Sequence, residues 1–119
     1  METHVLIEVL LDKNLAQLGD AFVNFIYSLA LTHSTGKPVG AKVSDKILAK
    51  AAQKAGVRKL LPRRTTRANV SNAVESLLVY AWLNSKMSIE EMSKILEVQV
   101  NDPSDAFATL STKVLEQLI

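Results

Sequence analysis

Apolar residues in this chain recur at three- and four-residue spacing, in blocks interrupted by glycine, proline or capping residues, and strand signals are weak. That periodicity restricts the 119 residues to an all-α fold. The clearest block runs over about 15–33, where Leu15, Leu18, Phe22, Phe25, Ile26 and Leu29 mark the face of a buried helix with Asn14 as its cap. Ser34-Thr35-Gly36-Lys37-Pro38 ends it, because glycine and proline punctuate helices. A short apolar helix is expected before it, within 2–12. A third is expected over about 40–55, with Val43, Ile47, Leu48 and Ala51 on its apolar side and Gly56 as its stop. Lys42, Lys46, Lys50 and Lys54 fall every four residues and align on the exposed side of that helix. A basic connector over 57–68, holding Pro62, leads to a long helix over 70–85 capped by Ser71 or Asn69. Ser88 and Glu91 form a capping box for a short helix to Leu96. Pro103 and Ser104 open the last helix, which carries Phe107, Leu110, Val114, Leu115 and Leu118. With no repeat or linker, residues 1–119 read as one domain.

Composition narrows the class further. At 48% hydrophobic, with four glycines and three prolines, the chain is neither disordered nor collagen-like. The absence of cysteine removes disulfides, thiolate metal sites and cysteine nucleophiles. The longest apolar stretch, Ala21 to Leu31, is too short to span a bilayer and contains Asn24. The start, Met1-Glu2-Thr3-His4, lacks the basic opening of a signal peptide. A reduced, cytoplasmic domain without a membrane partner is expected.

The net charge of +2 conceals a segregation of charge. Lys37 to Arg67 holds ten basic residues and one acid, Asp45, for +9; the remainder holds four basic and eleven acidic residues, for −7. Such a division marks a surface for a polyanion, with nucleic acid foremost, against the plainer alternative of a solvated basic helix.

Two carboxylates break the pattern of polar faces. Glu75 shares a helix face with Leu78, Val79 and Trp82, and Asp20 shares one with Val23, Asn24 and Tyr27. A carboxylate near a core must be hydrogen-bonded, paired with a cation, bound to metal or protonated. Two of them on separate helices suggest one shared cation. An all-oxygen set without cysteine suits a magnesium-type ion completed by water. The structural alternatives are that Asp20 is an N-cap after Gly19 and that Glu75 pairs with a buried lysine or arginine. His4 and His33 lie at a terminus and a helix end, and no Ser/His/Asp pattern, phosphate loop or zinc spacing is present.

The residues around both carboxylates resemble the ribonuclease III family. Leu18-Gly19-Asp20-Ala21-Phe22 is similar to the family's Leu-Gly-Asp-Ala-Val signature, whose aspartate is a metal ligand. Val74-Glu75-Ser76-Leu77-Leu78 resembles the second motif, Phe-Glu-Ala-Leu-Ile, whose glutamate is the other central ligand. Between them, Val43-Ser44-Asp45-Lys46-Ile47-Leu48-Ala49 resembles a helix of the compact mini-ribonuclease III branch, which has Val-Ser-Ala-Lys there. Two positions depart from the family pattern: Ala16 stands for a glutamate four residues before the aspartate, as in the compact branch, and Asn72 for an aspartate three before the glutamate. Asn72 offers an uncharged carbonyl oxygen as a further ligand. Nothing after Leu83 resembles a double-stranded-RNA-binding domain.

The resemblance implies a helical, homodimeric endoribonuclease for double-stranded or structured RNA, with ribosomal RNA processing as one setting. Asp20 and Glu75 would be catalytic and hold Mg²⁺, or Mn²⁺ in its place, and the ion would generate hydroxide and offset phosphate charge. Lys42, Lys46, Lys50, Arg63, Arg64 and Arg67 would contact the RNA backbone. The competing readings are a ribonuclease III-like RNA-binding or ribosome-associated dimer without catalysis, and a plain helical interaction module.

Overall fold

The computed structural model describes all 119 residues and contains six α-helices, one 3-10 turn and no strand, as the periodicity requires. The helices are α1 (Thr3–Leu10), α2 (Lys13–Thr35), α3 (Asp45–Ala55), α4 (Arg67–Leu83), α5 (Ile89–Val98) and α6 (Pro103–Leu118), with the 3-10 turn Arg58–Leu60 between α3 and α4. None is long and apolar enough to cross a membrane. The glycine stops lie where expected: Gly36 and Gly56 adopt φ of 76° and 82°, a left-handed conformation that costs a glycine nothing. The Ser88–Glu91 capping box is formed reciprocally.

Helix starts differ from the expectation because several residues in each stretch have cap chemistry and only one meets the free N–H groups. Asp12, not Asn14, caps α2; its carboxylate accepts from Asn14 N at 2.9 Å and Leu15 N at 3.0 Å. Thr66 replaces Ser71 or Asn69 as the cap of α4, accepting from Asn69 N at 3.2 Å. The largest change concerns α3, which begins at Asp45 and not near Gly40. Residues 38–44 are not helical, because α2 presents a polar side chain every four residues toward them. Val43 N donates to Asn24 Oδ1 at 2.7 Å, Ala41 N to Ser28 Oγ at 2.9 Å and Val39 N to Thr32 Oγ1 at 3.0 Å. These bonds satisfy the backbone without helix. The four-lysine row is therefore broken, with Lys42 on this segment and Lys46, Lys50 and Lys54 on α3.

The second half of the chain is organised around α4, which packs against α1, α2, α3 and α6. Ser71, Ala73 and every residue from Val74 to Val79 are buried, so α4 is covered nearly all round, as a central helix must be. Leu77 and Leu78 of α4 are fully enclosed, as are Phe107, Leu10, Ile26, Leu48, Met92, Leu96 and Leu110 from the other helices. Phe22 stacks on Trp82 with ring centroids 5.3 Å apart, joining α2 to the end of α4. The face of α2 turned to the core is narrower than its apolar pattern suggested: Ala16, Gly19, Phe22, Val23, Ile26 and Ala30 are buried. Leu18 and Phe25 are instead 47% and 54% exposed, on a second apolar stripe facing away from α4.

Small residues on the buried stripe let the two helices approach closely. A Cβ added at Gly19 would overlap the carbonyl oxygen of Glu75 and lie 2.9 Å from its Cβ. Gly19→Ala in an unencumbered helix would stabilise, since alanine is the better helix former. Here overpacking should reverse the sign, with a net loss of roughly 1–3 kcal/mol. Urea unfolding checks this, and a variant as stable as the parent or more so would show that α2 and α4 do not touch at Gly19.

Candidate functional site

Glu75 lies opposite Gly19, so the next residue of α2, Asp20, is brought to its side. The two carboxyl groups face the same cleft. Glu75 is only 4% exposed, as its apolar helix face predicted. Asp20 is exposed, which corrects the reading that it shares a buried face with Val23. It sits on the solvent side of α2, beside the buried Gly19 that touches α4. The N-cap alternative for Asp20 is also removed, because α2 runs unbroken through it.

Asp20 and Glu75 share a cleft of about 680 Å³ with Leu10, Leu11, Asp12, Lys13, Ala16, Gln17, Asp45, Asn69 and Asn72. Asn72 is almost one turn before Glu75 on α4. With its amide turned to suit its surroundings, its Nδ2 donates to Glu75 Oε1 at 3.2 Å and to the Ala68 carbonyl at 3.3 Å. The predicted ligand thus supports Glu75 with its nitrogen, and a rotation of the amide is needed before its oxygen could face an ion. Ala16 is a buried wall of the cleft and brings no carboxylate.

Burial, above all, and then the Asp20 carboxyl push Glu75 from an ordinary 4.5 up to about 8, with a smaller push from the charge of Asp45. No lysine or arginine relieves it. The ion pairs of the molecule are His4–Glu2, His33–Glu97 and Lys54–Asp105, none of them at the cleft. The pairing of Glu75 with a buried cationic side chain is thereby excluded.

These donors fit a hard divalent cation. The two carboxyl groups offer only oxygens, both can ionise, and the buried one lacks a compensating positive group. No third acid or histidine completes a cluster of the kind that encloses a metal. Water would have to fill the remaining positions, as it does in most magnesium sites. Asp45, first residue of α3, was not read as part of the site, although its sequence signal was clear: it is the lone acid of the +9 segment. It lines the cleft and joins no ion pair.

The residues read as an RNA surface are all exposed, on three successive pieces of chain. Lys42 lies on the non-helical segment, Lys46 and Lys50 on α3, Arg63 and Arg64 in the connector, and Arg67 at the first position of α4. Lys54 hydrogen-bonds Asp105 of α6 and, with Asp102 and a smaller pull from the charge of Lys50, holds that carboxylate below the usual range. The connector is internally braced. Arg58 donates to the carbonyls of Pro62 at 3.1 Å and Arg63 at 2.7 Å, and Thr65 Oγ1 donates to Pro62 at 2.6 Å. Arg58 is thus consumed in holding the turn, whereas Arg63 and Arg64 make no ion pair.

The chain is thus all-helical, with Asp20 and Glu75 in one cleft that the basic segment reaches at Asp45. Residues 13–118 match the family Ribonuclease III, and the chain belongs to the ribonuclease III family. That family consists of RNA endonucleases and generally uses divalent metals. No curated protein matches the chain.

The raised Glu75 carboxyl makes a pH-dependent stability the expected outcome. Between pH 4.5 and about 8 the folded protein keeps a proton that the unfolded chain has released. Stability should therefore fall as pH rises through that interval, by linkage. Glu75→Gln should flatten the slope and exceed the parent in stability near pH 8 in metal-free buffer. Urea midpoints at several pH values check both, and parallel profiles for the two proteins would contradict the assignment.

Proposed function

We propose that this chain is a divalent-cation-dependent endoribonuclease acting on double-stranded or structured RNA. The observation that carries the reading is the buried Glu75 beside Asp20, without a cationic partner, in a cleft that the +9 segment reaches at Asp45. Asp20 and Glu75 would hold Mg²⁺ or Mn²⁺, and Asn72 would steady Glu75 or turn its oxygen to the ion. When bound, the cation supplies water activation and charge compensation at the scissile phosphate. The residues do the rest: Glu75 gives up its proton to take the cation, and Asn72 fixes the carboxylate's rotamer. The exposed Asp20 leaves one side of the site open to a phosphodiester. Lys42, Lys46, Lys50, Arg63, Arg64 and Arg67 bind phosphates, so recognition depends on duplex shape more than on sequence.

The exposed stripe of Leu18 and Phe25 on α2 supports a homodimer, since two-fold association would cover it and place two clefts against one duplex. A monomer by sedimentation at working concentration would count against that part. A second reading, an RNA-binding relative without catalysis, is favoured by the absence of a third acid at the pair.

Incubation with structured RNA, with and without Mg²⁺, separates the two. Cleavage should require the ion, and Asp20→Asn or Glu75→Gln should abolish it while leaving the fold and RNA affinity in place. In the same binding assay without metal, Arg63→Ala with Arg64→Ala should weaken every duplex about equally. The slope of log affinity against log salt should flatten by roughly one to two units. Glu90→Lys is the control and should not weaken binding. Cutting at the parental rate by the carboxylate variants would remove the site, and parental salt dependence in the arginine variant would remove the surface.

A further inference from the structure

Lys13 is one of only four basic residues outside the +9 segment, and it stands exposed at the cleft that holds Asp20 and Glu75. It is the first residue of the 23-residue helix α2, where the backbone dipole presents positive charge and an acidic residue would be favoured. The N-cap Asp12 supplies the one carboxylate at that end of α2. The adjacent Asp12 carboxylate is engaged with the amides of Asn14 and Leu15, and Lys13 forms no ion pair although Asp12, Asp20, Asp45 and Glu75 line the same cleft. An exposed lysine at the cleft that makes no ion pair keeps its charge available to an anionic ligand.

Its placement is held by the core of the molecule. Ser76, next to Glu75, donates from Oγ to the Asp12 carbonyl at 3.2 Å and ties the start of α2 to α4. Lys13, Gln17 and Asp20 follow one another on one face of α2, all lining the cleft. Arg67 repeats the arrangement on α4, as the first residue of the helix that carries Glu75. Each wall thus begins with an exposed cation and carries its carboxylate about two turns further on.

We propose that Lys13 contacts a backbone phosphate of the RNA at the mouth of the cleft, on the side away from the +9 segment, so that the strand crosses the carboxylate pair between Lys13 and Arg67. This rests on the RNA reading above. The basic surface then continues past the site on both sides, although its sequence signal lies on one side only. Lys13 offers the anion a compact charge on a flexible stem.

The test measures RNA binding by the full chain in metal-free buffer, with a duplex RNA as probe, across a salt series alongside thermal unfolding. Lys13→Gln should weaken binding to every duplex tried and lower the salt slope by about one, the share of one phosphate contact. Its thermal midpoint should stay level, because an exposed lysine without an ion pair holds nothing in the fold. Lys13→Arg should keep the parental slope. A Gln variant with parental slope, a lower midpoint accompanying the weaker binding, or an Arg variant that behaves like Gln would each overturn the proposal. Failure of the parent to bind RNA would overturn the functional reading itself. Loss in the Arg63 and Arg64 variant with no change at Lys13 would overturn only this inference.

Discussion

The contact of the Gly19 backbone with the backbone of Glu75 is the constraint from which the site follows. Two helices normally keep their axes 8–10 Å apart because side chains fill the space between them. Removing one Cβ at the crossing lets backbone meet backbone, and the residues flanking that point are forced together. Asp20 and Glu75 become neighbours, and burial with the adjacent Asp20 keeps the proton on Glu75. The packing of α2 on α4 supplies the energy that holds them. Ile26, Val23 and Phe22 on one side, with Leu78 and Trp82 on the other, are much of that packing.

This division of labour accounts for the charge layout. A buried acid with no basic partner lowers the stability of the metal-free protein at neutral pH, so the site is a place where stability is exchanged for a binding capacity. The surrounding positive charge does not cancel it. Lys54 is drawn toward Asp105, Arg58 is fixed by the connector, and the remaining cations point outward. Cations at the rim and anions in the cleft can coexist because each is solvated or bound locally. The arrangement suits a ligand that is itself a polyanion carrying counterions.

Family membership and local geometry bear on different questions. The match over residues 13–118 covers α2 through α6 and leaves α1 outside. Yet α1 packs on α4, and Leu10 at its end lines the cleft with Leu11. The N-terminal helix is therefore part of the site wall in this chain. Asn72 and Ala16 make the acidic set sparse, while Asp45 adds a negative charge from α3 at the cleft edge.

Much was legible in the sequence. Three- and four-residue periodicity determined six helices, because a buried helix face must repeat at the helical period. Gly36, Gly56 and the Ser88–Glu91 pair marked termini, because their chemistry is local. Glu75 was readable as an anomaly, since it stands among residues with no business beside water. Tertiary structure decided what depends on partners distant in the chain. Asn24, Ser28 and Thr32 satisfied the amides of the 39–43 segment and delayed α3 to Asp45. The approach at Gly19 selected the small-residue stripe of α2 as the buried one and left Leu18 and Phe25 outside. Asp20 stands on the solvent side of α2, with Lys13 and Asp45 around it, because the start of α2 is tied to Ser76. A period says which residues share a face; only the neighbouring element says which face it covers.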